Sequence, residues 1–215
     1  MTMEKIQHHF KPSCKKKCNR RSFIVKSIYT SLGIGLSSSL LVAASTPCFY
    51  GKKQDEEIFK VLDELVDKYL PIFGTCSQTS FYALNEAFNL KADKFVKALA
   101  PFPGIASRGE TCGAVSGCLS GIALVYEDDD IFNKDKHGLS FKPSSTFCSK
   151  FEMEYGSTRC RDVIENVTGK KYNLAKPDDY DVLRQEGAFS HCPSVIKKAV
   201  HIAAEIILVN SKSIS

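Results

Sequence analysis

Read for the spacing of its apolar positions, the chain beyond about residue 55 is a series of helices. Ile58, Leu62, Leu65, Val66 and Tyr69 recur at helical intervals behind an acidic first turn, predicting a helix over 55–70 that Pro71 stops. Phe81, Leu84 and Phe88 place one face of a second helix over 77–88, and Phe95, Val96 and Leu99 mark a short third over 92–100. A glycine-rich turn follows, then an apolar helix running to Tyr126. Ser144 or Ser145 opens the next helix, through Phe147, Phe151 and Tyr155, and Gly156 stops it. Ser157 and Thr158 cap a short helix carrying Cys160, Val163 and Ile164. Residues 170–187 are polar and read as a meandering connection. The last helix, 194–209, buries Val195, Ile196, Val200, Ile202, Ala203, Ile206 and Ile207. No strand alternation and no internal repeat is evident. The pattern predicts an all-α domain of about six helices over 58–210, led in by a polar linker over 47–57.

The N-terminal part is patterned differently. Lys11, Lys15, Lys16, Lys17, Arg20, Arg21 and Lys26 precede an uncharged apolar stretch, 28–44, diluted by serine and glycine and followed by small residues. That is the layout of an export signal over 1–46. Asn19-Arg20-Arg21-Ser22-Phe23-Ile24-Val25-Lys26 resembles the twin-arginine consensus, with the lysine one place late. The expectation is cleavage near 44–46 and delivery, by the twin-arginine machinery, to a periplasmic or other extracytoplasmic space. Retention of the stretch as a membrane anchor is the alternative, although 17 residues are few for a span. The twin-arginine route carries folded proteins, often with a cofactor already inserted.

Charge sharpens this division. Residues 1–47 hold eight of the 29 Lys and Arg but only Glu4 of the 24 acids, so the remainder carries a formal charge of −2. The basic balance of the chain belongs to its tail, and nucleic-acid binding by the body is not expected. The adjacent acids Glu127 to Asp130 lack the spaced ligands and glycine turn of a calcium loop and read as solvated surface.

Nine cysteines are too many to be incidental. Cys14 and Cys18 fall in the tail, and Pro47 before Cys48 fits lipid attachment poorly. Cys76, Cys112, Cys160 and Cys192 share a setting: each follows a turn and stands at or within the first turn of a predicted helix. There the free amides and positive dipole end favour thiolate, so lowered thiol pKa values are expected. Cys112 lies in the loop Ser107-Arg108-Gly109-Glu110-Thr111-Cys112-Gly113-Ala114-Val115-Ser116-Gly117-Cys118, whose glycines suit close approach of backbone. Small residues along the helix after it allow close packing of another helix, within the domain or across a homodimer. Cys112 and Cys118 are six residues apart on one helix, about 9 Å of rise, too far to bridge. Cys118 and Cys148 read as small buried hydrophobes or as members of structural disulfides. No CxxC and no CxxCH occurs, so zinc ribbons, thioredoxin motifs and covalent haem lack their signatures. His191 reads as a surface turn residue beside Cys192, and Arg108, Arg159 and Arg161 as partners for Glu110 and Asp162.

Taken together, Thr75-Cys76-Ser77-Gln78, Gly109-Glu110-Thr111-Cys112-Gly113-Ala114-Val115-Ser116-Gly117, Tyr155-Gly156-Ser157-Thr158-Arg159-Cys160-Arg161-Asp162 and His191-Cys192 resemble the redox-active family named for its C…GCAxxG…C…C pattern. Here the second block reads TCGAVSG. The resemblance covers about 58–208 and implies that Cys76, Cys112, Cys160 and Cys192 form one site. Some relatives are cytochromes with an additional iron–sulfur centre; their haem half has no counterpart here. Three readings remain open. The four thiolates hold an iron–sulfur cluster, or zinc in their place, for electron transfer with an unidentified redox partner. They exchange with disulfides as an oxidoreductase. Or they are structural, as disulfides or as small buried hydrophobes. No catalytic residue is singled out.

Overall fold

The computed structural model describes residues 49–212, and within them the fold is all-α. Eight helical segments follow in order: α1 Phe49–Phe73, α2 Cys76–Ala87, α3 Gly104–Ser107, α4 Gly113–Tyr126, α5 Phe141–Tyr155, α6 Cys160–Thr168, α7 Pro177–Gln185 and α8 Cys192–Lys212. Short 3₁₀ turns at Asp93–Leu99, Lys134–Lys136 and Ala188–His191 join them. The expected export signal and the possible anchor lie outside the described residues. Among those described, no helix is long and apolar enough to cross a membrane.

Helix α8 supplies the middle of the core. Ile196, Ala199, Val200, Ala203 and Ile207 are buried against Leu62 and Val66 of α1, Phe81 and Leu84 of α2, Ile122 of α4, and Phe147 and Phe151 of α5. The closest pair is α2 with α4. Gly113, Gly117 and Gly121 recur every fourth residue, making a groove along α4 that α2 fills. A Cβ on Gly117 would lie 2.1 Å from the Ser80 hydroxyl oxygen and 2.3 Å from the Ser77 carbonyl. The small-residue face of α4 is therefore occupied from within the domain. Buried Ser77, Thr79 and Ser80 do not oppose this packing, because each hydroxyl donates to a backbone carbonyl, of Leu99, Thr75 and Cys76 respectively.

Several boundaries depart from the sequence pattern. Helix α1 begins at Phe49, inside the expected polar lead-in, and runs through Pro71 to Phe73. The proline stands so near the end that one lost hydrogen bond is tolerated, and Gly74 N–H closes the turn on Leu70 C=O at 2.9 Å. Tyr69, Phe73 and Tyr82 then pack ring against ring between α1 and α2. Helix α5 starts at Phe141 rather than Ser144, with Pro143 in its first turn, where no N–H is needed. It ends as expected at Gly156, whose φ of 75° is the left-handed cap. Residues 170–187 are not a meander throughout. Pro177 opens α7, with Asp178 and Asp179 in its first turn, and Leu183 seals a small cluster with Ile164, Leu174 and Ala188.

Candidate functional site

The starts of α2, α4, α6 and α8 meet at one end of the bundle, α2 and α4 running in the same direction, and each start holds a cysteine. Cys76, Cys160 and Cys192 are the first residues of α2, α6 and α8, and Cys112 is the N-cap of α4. Two of these starts are pinned together by backbone. Thr111 and Arg159 form an antiparallel bridge. Cys112 N–H donates to Thr158 C=O at 2.8 Å, Arg161 N–H to Gly109 C=O at 3.2 Å, and Cys160 N–H to Glu110 C=O. A third is held by the glycine groove: a Cβ on Gly113 would stand 2.3 Å from the Cys76 sulfur. Gly104 in turn lies against Cys160, its hypothetical Cβ 3.5 Å from the cysteine Cβ.

The four thiols consequently interact. Burial is the main influence on each, but the Cys76 thiolate is also opposed by those of Cys112, Cys192 and Cys160. Cys160 is opposed by Cys112 and Cys192, and Cys192 by Cys112. Every pair among the four is represented. All four are free thiols; Cys112 is buried and the others are partly exposed.

The expected lowering of their pKa values does not occur. Burial pushes the Cys192 thiol up to about 12 and raises Cys76, Cys112 and Cys160 as well. At Cys112 the amides of Ala114 and Val115 do act in the predicted direction. Desolvation exceeds them, since a thiolate removed from water loses more than a helix terminus returns.

The surroundings divide as the sequence suggested in some places and not in others. Arg159 and Arg161 both approach Asp162, at 3.9 and 3.8 Å, while Glu110 takes no such pairing with them. The side-chain cap expected from Ser157 and Thr158 is not formed: Arg159 is the N-cap of α6, and Ser157, ahead of it, accepts Arg159 N–H at 3.0 Å and donates to Asp162 at 2.8 Å. His191 is exposed at the end of its turn. Cys118 lies wholly buried behind Cys112, interacting with it and with Ser80, and Cys148 stands partly exposed on α5. Tyr155 was not singled out by the pattern. Its ring packs tilted against that of Phe151 at 4.8 Å, and burial, Glu154 and Cys112 together raise its phenol to about 12. Its place in the block before Gly156 was the available signal.

As a donor set, four free thiols fit an iron–sulfur cluster or a soft metal. As placed, among the described residues, no three His, Cys, Asp or Glu side chains form a group that could hold a single metal ion. The chain matches, over residues 74–206, the family model described as Putative redox-active protein (C_GCAxxG_C_C). No curated protein and no solved structure matches it.

Proposed function

Since the chain belongs to the C_GCAxxG_C_C redox-active family, we propose that Cys76, Cys112, Cys160 and Cys192 ligate an iron–sulfur cluster and that the protein is an exported one-electron carrier. The observation that carries this reading is the convergence of four cysteine-bearing helix starts, with Thr111 bridged to Arg159 and the Cys76 sulfur seated against Gly113. A lone zinc ion draws its four ligands to about 2.3 Å from one centre, and the thiols as placed do not make such a group. A [4Fe–4S] cluster binds each cysteine at a different iron, so four thiols gathered without converging on one point suit it better. When bound, the cluster supplies a one-electron couple.

The chain's own residues do the rest. Gly113 admits the Cys76 sulfur, and the 109–112 and 158–161 segments hold Cys112 and Cys160 in register. Burial makes uncompensated thiolates costly, which favours a positively charged occupant. Thiol–disulfide exchange would need a thiolate present at neutral pH, and burial works against that at all four positions. The twin-arginine-like tail supports export of the folded, loaded domain.

Anaerobic purification from a cluster-competent host tests the reading. The expected result is a coloured protein with iron and sulfide in equal, stoichiometric amounts, both lost when any of the four cysteines becomes serine. A colourless protein without iron, or one carrying zinc alone, would overturn it.

A further inference from the structure

We propose that the segment 94–108 is a docking face for an acidic redox partner protein; this rests on the redox reading of the four cysteines. The segment forms the outer wall of the thiol site. Its inner side is tied to α2, Leu99 C=O accepting the Ser77 hydroxyl at 2.8 Å and Val96 C=O accepting the Gln78 amide at 3.1 Å. Gly104 lies against Cys160. Its outer side exposes Phe95, Phe102 and Ile105 at 44%, 38% and 40%.

The conformation is costly. Gly104, Ile105, Ala106 and Ser107 all have positive φ, which for a β-branched isoleucine is a strained backbone. Hydrogen bonds hold it: Ala106 N–H to Pro101 C=O at 2.7 Å, Ser107 to Pro103 at 2.9 Å and Arg108 to Gly104 at 3.0 Å. A half-exposed apolar side chain is thereby presented on a rigid turn, next to the glycine that packs on Cys160.

Charge selects the partner. Exposed Lys94, Lys97 and Arg108 lie on the segment, and Arg159 and Arg161 stand beside it. Against these five bases are Glu110 and Asp162, a local balance of +3 on a body of formal charge −2. Asp93, at the far edge, is engaged by the Asn85 amide at 2.7 Å. The positive dipole ends of α2, α4, α6 and α8 reinforce the same sign at this end. An apolar patch rimmed by bases over the redox centre fits an acidic carrier that docks briefly and transfers an electron.

The test uses the full chain and a plant-type ferredoxin as an acidic one-electron donor. Each reduced ferredoxin gives one electron to the oxidised site and is itself oxidised. If the site is instead a disulfide, two ferredoxins and two protons convert it to two thiols. The rate should fall with ionic strength, and the triple variant Lys94→Glu, Lys97→Glu, Arg108→Glu should slow it about tenfold at low salt. Ile105→Gly, which also eases the backbone, should slow ferredoxin but not ferricyanide, a small anion that takes one electron from the reduced site. Ferricyanide should outpace hexaammineruthenium(III) relative to the triple variant. A ferredoxin rate indifferent to salt and to the triple variant, or no reaction where dithionite succeeds, would overturn the docking face. Iron and sulfide analysis judges the cluster separately, because the ferricyanide arm reads thiols or cluster alike.

Discussion

At the scale of single residues, Gly113 bears most directly on the cysteine site. Beyond its approach to the Cys76 sulfur, a Cβ here would lie 3.0 Å from Ser77 N and 3.1 Å from the Pro103 Cα, so neither backbone leaves it room. Gly113→Ala should push the Cys76 sulfur away from its three partners. Iron retention is expected to drop by about tenfold or more, as when a ligand loses its positioning neighbour. Labelling of Cys76 by a thiol reagent should become faster. Unchanged iron content and labelling would show that the glycine does not set the sulfur's position. Cys112 carries a different lesson. Its place at a helix start was plain from the loop around it, but the sign of its pKa shift followed from burial, which spacing does not report.

Between elements, the α2–α4 pair decides how the sulfurs of Cys76 and Cys112 face each other. Replacing Gly117 by alanine sets two effects in opposition. Alanine in a helix interior gains about 1 kcal/mol over glycine. Its Cβ would meet the Ser77 backbone carbonyl at 2.3 Å, which cannot swing aside as a side chain can. Overpacking of this kind costs about 1–3 kcal/mol, so Gly117→Ala should destabilise the domain on balance, read as a lower urea midpoint at unchanged slope. A higher midpoint would mean that α2 shifts freely. The apolar intervals revealed α2, α4, α5 and α8 nearly to their ends. They missed α7, because among its described side chains only Leu183 is fully buried and nine residues show too little period.

For the whole molecule, the raised thiols link stability to pH. Cys192 titrates near 12 when folded against an ordinary value of 9.0. The folded state thus keeps protons that the unfolded chain has released. By linkage, the contribution is fully present below about pH 9 and is lost as pH rises toward 12. Cys76, Cys112 and Cys160 shift the same way. Metal-free, reduced protein should therefore lose stability progressively through that window, and Cys192→Ser should flatten the slope, both read from urea midpoints under argon. A midpoint independent of pH from 9 to 12 would contradict the burial of these groups.

By itself the sequence determined the helical class, most helix starts, and the recurrence of a cysteine at four of them, because period and capping are local properties. The four-cysteine blocks likewise marked the family. Only the tertiary structure decided that those starts share one end of the bundle, since it is the packing of α2 and α4 side by side in the same direction, with the intervening chain returning between them, that gathers residues dozens of positions apart. It also decided the balance between helix dipole and desolvation, because burial belongs to the packed whole and to no residue alone.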